Sequence, residues 1–551
     1  MIGMGMGGLA GLALPETNIF APDRRWACPP GAAQGGPHAY NAPLTNPHWG
    51  TIAMTDAEQK KPETPAPKEP QERIVVTEHS RMIGGKKIEY TATCGSVVVR
   101  DFDHQDESKD GKSRGDKSRA TIFFTAYTRK GVREPEKRPL TFSFNGGPGS
   151  SSVWLHLGIL GPQRVATDDM GNSPPPPYTL VDNDYSLLPE SDLVFIDPVG
   201  TGYSRVAEGE KVTEFHEYQR DLDAVGEFIR LYLTRYGRWG SPKYVIGESY
   251  GTTRASGLSL HLQEKHDIFL NGVMLVSLAV DMQTLSFDHG NELPYPLFVP
   301  TYAATAWYHK ALEPALQKKP LAKVIKEAEA FAINVYSVAL LQGSRLSAGD
   351  RAQIAAQLAS FTGLSTEYVL RCDLRPEPFR YFKELLRDRG QTVGRLDTRF
   401  LGQDRDDAGE HPESDPMLAN LVGAYASGIN RVLRDTLKYE ADAPYVVHAP
   451  IWDKWNWKDF ANKYVNVGDS LRRAMQANPH MRVYVASGYY DLGTPHFAGD
   501  YTLAHLGLRP HMQKNVQVSY FESGHMMYIH RPSLQRMAAE LKVFVAPVAK
   551  A

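Results

Sequence analysis

A serine between two glycines is the first pattern in this sequence that could do chemistry. Gly247-Glu248-Ser249-Tyr250-Gly251 has the form G-x-S-x-G, follows an apolar stretch at 244–247 and precedes a helical stretch. In a nucleophile elbow the chain turns so tightly between strand and helix that a side chain at either flanking position would clash. The turn lifts the hydroxyl out of the sheet. The pattern therefore predicts a nucleophile at Ser249, with a Gly-flanked structural turn as the alternative.

A serine nucleophile needs a base, and the base needs a carboxylate to orient it. After an elbow of this kind, the acid and then the histidine follow along the chain, each on a loop after a strand. Asp491 follows the apolar stretch 482–486, and His525 follows the stretch 516–521. These positions predict Asp491 as the orienting acid and His525 as the base. His530, five residues further on, is the weaker alternative.

The oxyanion that forms when a serine attacks a carbonyl must be held by two aimed amide donors. The backbone N–H of Tyr250, next to the serine, is one candidate. The loop Asn145-Gly146-Gly147-Pro148-Gly149-Ser150 follows the apolar stretch 139–144 and is expected to supply the other, because glycines let backbone amides approach a ligand. A simple turn is the alternative for this loop. Asp197 also ends an apolar stretch but precedes Ser249, so we expect a structural role for it.

Alternating strands and helices surround these motifs. Short apolar stretches such as 273–277 are typical of strands buried on both faces of a parallel sheet, and apolar residues at helical spacing cover 222–236. Helix-forming residues then dominate 281–443 before the alternation returns. We predict an α/β layered fold with core segments 74–280 and 444–551. The helical segment 281–443 is predicted to be a lid over the carboxyl edge of the sheet.

Composition narrows the function classes. The 551 residues carry 61 Lys and Arg against 63 Asp and Glu, a net charge of −2, which argues against a nucleic-acid-binding protein. Hydrophobic residues make up 42% of the chain, enough for a large core, and no apolar run is long enough to span a membrane. Neither H-E-x-x-H nor a Cys/His pair at zinc spacing occurs, so we predict no metal and no other cofactor.

The start of the chain differs from the rest. Residues 1–14 are apolar and Gly-rich but lack the charged start of a secretory signal, while 60–70 (KKPETPAPKEP) predicts an extended tether. We expect a disordered leader and Pro-rich tether over 1–73. The first residues are therefore either a processed leader, which would indicate a periplasmic or secreted location, or the result of a mis-assigned start. Oligomeric state is not readable from the sequence.

Together, these motifs resemble the serine carboxypeptidases, peptidase family S10, and the bacterial branch of that family in particular. The matching pieces occur in the family's order: NGGPGSSS at 145–152, DPVGTGYS at 197–204, GESYG at 247–251, and GHM at 524–526. The resemblance implies an α/β-hydrolase fold with a mostly parallel central sheet and a helical lid insertion. It implies a peptidase that releases the C-terminal amino acid from peptide substrates.

The resemblance also implies a role for each residue of the candidate site. Ser249 would be the nucleophile, His525 the general base and Asp491 the orienter of that base. The amides of Gly147 and Tyr250 would form the oxyanion hole.

In the family, an Asn and a Glu bind the terminal carboxylate of the substrate, and these are Asn145 and Glu248 here. Two carboxyl groups at one place cannot both ionise cheaply, so this role predicts activity favoured at acidic pH. The chain departs from the family pattern at Ser143, where a Trp is usual, and near Ile159, where better-known members have a second Glu. Hydrolysis at Ser249 is thus better supported than strict carboxypeptidase action.

Alternatives remain open at this stage. An arginine, Arg164 or Arg254, is one hypothesis for a positive charge that compensates for the missing Glu. An esterase or acyltransferase on the same fold is the main alternative function. A non-catalytic binding protein that keeps the scaffold is a third.

Overall fold

The structure is a computed structural model that describes residues 69–100 and 117–546. The predicted disordered leader lies outside these residues up to position 68. The strands, in chain order, are β1 Arg73–Ile83, β2 Lys86–Arg100, β3 Ser118–Arg129, β4 Leu140–Phe144, β5 Gln163–Val165, β6 Leu180–Asp182, β7 Asp192–Ile196, β8 Arg205–Val206, β9 Lys243–Glu248, β10 Gly272–Val276, β11 Thr392–Val393, β12 Leu401–Gly402, β13 Arg482–Gly488 and β14 Val516–Phe521.

Helices follow most of the strands and fill the segment between β10 and β13. The α-helices are α1 Val153–Leu155, α2 Tyr218–Arg235, α3 Tyr250–His266, α4 Pro294–Tyr308, α5 Pro314–Gln317, α6 Leu321–Phe331, α7 Ser337–Gln342, α8 Ala348–Thr362, α9 Thr366–Arg371, α10 Pro378–Glu384, α11 Pro416–Arg431, α12 Gly468–Ala477, α13 His496–Ala504, α14 Pro510–Gln513 and α15 Arg531–Val545. Among the described residues, no helix is both long and apolar enough to cross a membrane.

A ten-stranded sheet lies at the centre of the described part of the chain, in the order β1-β2-β3-β7-β4-β9-β10-β13-β14, with β8 beside β3. From β7 to β14 neighbouring strands run parallel, whereas β1, β2 and β3 add an antiparallel meander at one end. Every residue of β4, β7 and β10 is buried, as expected for strands covered on both faces. The predicted α/β-hydrolase fold, with a mostly parallel sheet and a helical insertion, is confirmed.

Helices cover both faces of this sheet. On one face, α2, α3 and α12 pack in a common core, and α2 contributes the stripe Leu222, Val225, Ile229 and Leu233 that its helical spacing predicts. On the other face, α11 and α15 pack against a second core. The apolar strands therefore lie between two helical layers, and the backbone groups at the strand ends are exposed only at the edges of the sheet.

The inserted segment builds a core of its own. Helices α4, α6, α8 and α10 bury side chains such as Val324, Leu358 and Tyr381 together. Helix α11 instead places Leu421 and Tyr425 in the core beneath the sheet, although it falls inside the predicted lid 281–443. The domain limits given above stay predictions, but the insertion contains two packing environments.

One stretch of the insertion, residues 395–399, returns to the carboxyl edge of the sheet; we call it the clamp segment. Its backbone accepts hydrogen bonds from the N–H groups of Leu492 (3.1 Å) and His525 (2.6 Å). The N–H of Thr398 donates to the carbonyl of Tyr490 at 3.0 Å. The clamp segment therefore joins the loop after β13 to the loop after β14.

A buried ion pair fixes the clamp segment. Asp397 and Arg399, with side chains 0% and 3% exposed, form a bidentate pair with a closest distance of 2.6 Å. Oδ2 of Asp397 also accepts the N–H of Gly524 at 3.0 Å, and Arg399 donates to the hydroxyl of Ser523 at 3.1 Å. Since all these partners are buried, loss of one charge leaves the other without compensation.

Asp397→Asn is expected to lower the free energy of unfolding by about 3–5 kcal/mol, because it leaves the buried Arg399 charge without its carboxylate. The matched control is Asp406→Asn, which removes the carboxylate from an exposed pair with Arg405 and is expected to change little. Urea unfolding midpoints, followed by circular dichroism, measure both. Equal midpoints for the two variants would contradict the role of the clamp segment.

Candidate active site

The candidate residues lie along one edge of the sheet. Ser249 directly follows β9, Asp491 follows β13, and His525 follows β14. The glycine-rich loop 145–150 follows β4, which pairs with β9 on its other side. Because these strands are parallel, their carboxyl ends share an edge, and residues separated by up to 380 positions in the chain come to lie there together.

Ser249 is held in a strained turn between β9 and α3. Its φ of 59° and ψ of −128° lie outside the regions that L-residues favour. A side chain at Gly247 would place its Cβ 2.0 Å from the carbonyl oxygen of Gly251, so this position is open only to glycine, whereas a Cβ at Gly251 would lie 3.1 Å from the carbonyl oxygens of Phe144 and Asn145. Tyr250 is the first residue of α3, and its N–H therefore has no acceptor within the helix.

The glycine-rich loop packs directly against this elbow. A Cβ at Gly146 would lie 2.5 Å from the backbone nitrogen of Tyr250, so the contact is open only to glycine. Gly147 has a φ of 104° and borders the same pocket as Ser249 and Tyr250. The predicted pair of oxyanion-hole residues, Gly147 and Tyr250, is thus brought to one place beside the serine.

Asp491 and His525 form a buried hydrogen bond. Nδ1 of His525 lies 2.7 Å from Oδ2 of Asp491, and the two side chains are 6% and 0% exposed. Asp491 also accepts the N–H groups of Gly493 (2.8 Å) and Thr494 (3.0 Å) and the Thr494 hydroxyl (2.7 Å). Four donors therefore satisfy the hydrogen-bonding capacity of this buried carboxylate.

This arrangement changes the pKa of the His525 imidazole, the residue predicted to be the base. Burial disfavours its protonated form, but the charge and hydrogen bond of Asp491, assisted by the charge of Glu248, outweigh burial and raise the pKa of His525. With Nδ1 engaged by Asp491, Nε2 is the nitrogen left to take a proton. The alternative residue, His530, instead contacts the hydroxyl of Ser533 at 2.9 Å. The structure therefore brings His525, rather than His530, to Asp491.

Glu248 is a buried carboxyl group next to the nucleophile. The hydroxyl of Tyr528 donates to its Oε2 at 2.6 Å. Burial raises the pKa of Glu248 to about 7, although the charge of His525 and hydrogen bonding by Tyr528 and Asn145 act to lower it. Glu248 therefore changes its charge near neutral pH.

Asn145 lies beside this carboxyl group. Its Oδ1 accepts the N–H of Leu155 at 3.2 Å, which fixes the orientation of the amide. Its Nδ2 influences the pKa of Glu248 but completes no hydrogen bond of good geometry with any described residue. A buried amide donor without a partner is costly, and a bound acceptor at this position would satisfy it.

The two arginines proposed as compensating charges are used elsewhere. Arg254 is fully buried, pairs with Asp221 at 2.8 Å and donates to the backbone carbonyl of Asn145 at 2.7 Å. It therefore supports the glycine-rich loop. Arg164 donates to the carbonyl of Val165 at 3.2 Å. Neither arrangement is a contact with Glu248, so the hypothesis of a compensating arginine gains no support.

Two other positions behave as the sequence suggested. Asp197 accepts the N–H and the hydroxyl of Ser152 at 2.9 and 2.8 Å, which is a structural role in the turn after β7. Ile159, where the family has a second Glu, is buried in the hydrophobic core. A second carboxyl group is therefore not supplied from that position.

Sequence reasoning missed three contributors to the site. Thr494 orients Asp491, Tyr528 donates to Glu248, and the clamp segment holds both loops. Thr494 follows Asp491 by three residues, a spacing at which side chains commonly bond to nearby backbone, so a weak signal existed. Tyr528 has no such signal, because only the folded loop after β14 brings it to Glu248.

A pocket of about 360 Å³ opens above Ser249. Its wall combines apolar side chains, among them Met282 and Trp457, with the cationic groups of Arg395 and Lys463. The volume is in the range of sites for small ligands or single side chains. Part of this wall comes from the inserted segment, as the prediction of a lid implies.

Thr494→Val is expected to lower kcat/KM for a chromogenic acyl ester about tenfold, since it removes a hydroxyl donor to Asp491 but keeps the side-chain shape. Thr502→Val is the matched control, because the Thr502 hydroxyl is also buried but bonds only to the carbonyl of Ala498 in its own helix. A control that loses as much activity as Thr494→Val would count against the role of Thr494. Unfolding midpoints of both variants exclude misfolding as the cause.

Comparisons with known proteins find similarity over part of the chain. The model of the serine carboxypeptidase family, Peptidase_S10, matches residues 111–295. Serine carboxypeptidase-like 13 of Arabidopsis thaliana is 28% identical over 186 residues, which is 33% of this chain and 40% of that protein. The pheromone-processing carboxypeptidase KEX1 of Verticillium alfalfae is 28% identical over 152 residues, which is 26% of this chain and 21% of that protein.

Among solved structures, the prohormone-processing carboxypeptidase KEX1 of Saccharomyces cerevisiae is similar with a TM-score of 0.47 and 15% identity, over 83% of this chain and 91% of that chain. The chain spans less than half the length of the curated relatives named above. These relatives are plant and fungal proteins, so they do not support the bacterial branch. Over residues 111–295 the chain is thus similar to the serine carboxypeptidases.

Proposed function

We propose that this protein is a serine carboxypeptidase that hydrolyses the C-terminal peptide bond of peptides. The observation that carries the proposal is the buried hydrogen bond between His525 and Asp491 at the sheet edge where Ser249 is presented in a strained turn. A buried acid–imidazole pair of this kind supplies the oriented base that activation of a serine hydroxyl requires. The family match at residues 111–295 supports the same reaction.

In the acylation step, Nε2 of His525 takes the proton of the Ser249 hydroxyl as its oxygen attacks the scissile carbonyl carbon. The resulting oxyanion is held by the N–H groups of Gly147 and Tyr250. His525 then gives the proton to the leaving nitrogen, the C–N bond breaks, and the C-terminal amino acid departs. Asp491 stabilises the imidazolium that exists between these two transfers.

The deacylation step repeats this sequence with water. His525 takes a proton from water, whose oxygen attacks the acyl carbon of the ester on Ser249. The oxyanion returns to the same two amides, and His525 then protonates the Ser249 oxygen as the ester bond breaks. The products are the shortened peptide and the free enzyme.

Recognition of the substrate's terminal carboxylate is assigned to Asn145 and Glu248. A neutral Glu248 can donate a hydrogen bond to that carboxylate, whereas an ionised one repels it. Tyr528 already donates to Oε2, so the proton of the neutral group belongs on Oε1 and is available to the substrate. The unpartnered Nδ2 of Asn145 provides the second donor. A tyrosine thus supports the carboxyl group that a second Glu supports in better-known family members.

An esterase or acyltransferase is the second candidate. The observation that favours it is the pKa of Glu248 near 7, because an ionised Glu248 at alkaline pH rejects carboxylates but tolerates neutral substrates. Membership of the bacterial branch, the domain limits and a periplasmic or secreted location remain predictions.

A blocked dipeptide should be hydrolysed with a kcat/KM about 100-fold higher than its C-terminal amide at a pH just below 7, where Glu248 is still largely neutral, because only the free acid accepts hydrogen bonds from both recognition residues. Asn145→Ala should reduce this ratio mainly by slowing the free acid. Release of the amino acid or amide is measured by chromatography. Equal hydrolysis of both substrates, with rapid ester turnover, would favour the esterase.

The pH profile tests Glu248 separately. For a free-acid peptide, kcat/KM should fall as pH rises through about 7, because Glu248 ionises and repels the substrate. On the acidic side the profile should fall as His525 becomes protonated, and because the pKa of His525 is raised, this limb lies close to the alkaline one and the optimum is narrow. Tyr528→Phe should move the alkaline limb to higher pH, since it removes a donor that favours the ionised form. Glu248→Gln should remove that limb, as should an amide or ester substrate; an alkaline limb unchanged in Glu248→Gln would contradict the assignment.

A further inference from the structure

A second cluster of ionisable side chains lies where the insertion meets helix α13. Glu329 projects from α6 of the insertion, and His496 and Asp500 project from α13. One ligand atom from each of the three residues lies within 4.8 Å of the other two. His496 and Asp500 are four residues apart, so they occupy one face of their helix.

The histidine of this cluster has an unsatisfied nitrogen. His496 is 1% exposed, and its Nδ1 lies 3.3 Å from the hydroxyl of Thr301. Its Nε2 has no hydrogen-bond partner among the described residues and lies 3.5 Å from Oε1 of Glu329. An imidazole that donates from Nδ1 to Thr301 therefore presents the lone pair of Nε2 to a carboxylate.

Asp500 likewise contributes carboxylate oxygens, which are hydrogen-bond acceptors, to this cluster. One of its oxygens, Oδ1, accepts the hydroxyl of Tyr520 at 2.7 Å, which fixes the carboxylate against α13. The cluster therefore brings together three groups that all carry lone pairs. His496 is buried, whereas Glu329 and Asp500 are partly exposed. When Nδ1 of His496 donates to Thr301, Nε2 and the two carboxylates present only acceptors to one another, an arrangement that a bound cation would stabilise.

We propose that Glu329, His496 and Asp500 bind a zinc ion, with water as the fourth ligand. Bond lengths of about 2.0–2.1 Å to nitrogen and oxygen in a tetrahedral site place neighbouring ligand atoms about 3.3 Å apart, close to the 3.5 Å observed between His496 and Glu329. Calcium and magnesium prefer six or more oxygen ligands, so one imidazole and two carboxylates suit zinc better.

Thr301 and Tyr520 complete the surroundings of this site. A metal-binding histidine usually donates its other ring N–H to an acceptor, and Thr301 provides one. Metal-binding carboxylates are likewise hydrogen-bonded, as Asp500 is by Tyr520. The sequence analysis found no zinc spacing because the third ligand, Glu329, lies more than 160 residues before the pair on α13.

The site would connect the insertion to the catalytic acid. Helix α13 begins at His496, two residues after Thr494, whose hydroxyl donates to Asp491. A zinc ion bound to Glu329 would therefore tie α6 to the loop that orients His525. It stands outside the chemical steps, so its effect is on stability and on the position of this loop.

The test uses the full chain, dialysed first against a chelator and then against buffer with about 10 µM ZnCl₂, and counts bound zinc by inductively coupled plasma mass spectrometry. We expect one zinc per chain, and at least about tenfold weaker binding in Glu329→Gln and Asp500→Asn. The matched control is Glu327→Gln, which lies on the same helix but pairs with Lys319 and should keep the zinc.

A second measurement separates this site from adventitious binding. Co²⁺ in place of zinc should give the visible ligand-field absorption of a tetrahedral N/O site in the wild-type chain and in Glu327→Gln, and not in Glu329→Gln. Glu329 is partly exposed, so its substitution is expected to leave the fold intact. Equal unfolding midpoints of the wild type and Glu329→Gln without metal would verify this. Absence of bound zinc in the wild type, or equal binding in Glu329→Gln, would overturn the proposal.

Discussion

The hydrogen bond between Asp491 and His525 is the interaction on which the rest of the site depends. Without it, the buried imidazole has neither a fixed orientation nor a raised pKa, and the proposed base for Ser249 is lost. The bond exists because β13 and β14 are neighbours, so that the loops after them begin side by side. The cost of burying the aspartate is offset because backbone and hydroxyl donors satisfy its remaining lone pairs.

The inserted segment does more than cover this edge. Its clamp segment holds the loops of the acid and the base together through backbone hydrogen bonds and the pair of Asp397 with Arg399. Its residues also form part of the pocket wall above Ser249. The cluster on α6 and α13 adds a third connection at the same loop. An insertion that fixes the reacting groups couples its own stability to the alignment of the site.

The sequence predicts the fold and the positions of the reacting groups because both follow local rules. Apolar strands alternate with amphipathic helices, and the elbow needs a glycine at 247, because a Cβ there would meet the backbone of Gly251 only four residues away. The order of the strands then places Asp491 and His525 beside each other. What sequence reasoning missed depends on tertiary contacts between distant segments. Tyr528 reaches Glu248 across 280 residues, and Asp397 reaches Gly524 across 127.

The same limit explains why the hypothesis of a compensating arginine gains no support. A basic residue near the glycine-rich loop looks available in the sequence, but the fold buries Arg254 against Asp221. No local sequence pattern predicts that pair, because its two residues lie on different helices that pack on the sheet. Charge compensation in a buried site is therefore decided by packing, and a residue type alone does not predict it.

Reaction with a fluorophosphonate, located by mass spectrometry of the digested protein, measures the activation of Ser249 most directly. The account predicts a single adduct on Ser249, formed about 1,000-fold more slowly in His525→Ala than in the unmodified chain. His530→Ala, the matched control, should react at the normal rate, since its ring contacts Ser533 instead. A folded protein that forms no adduct, or one that reacts equally fast without the imidazole of His525, would contradict the central claim.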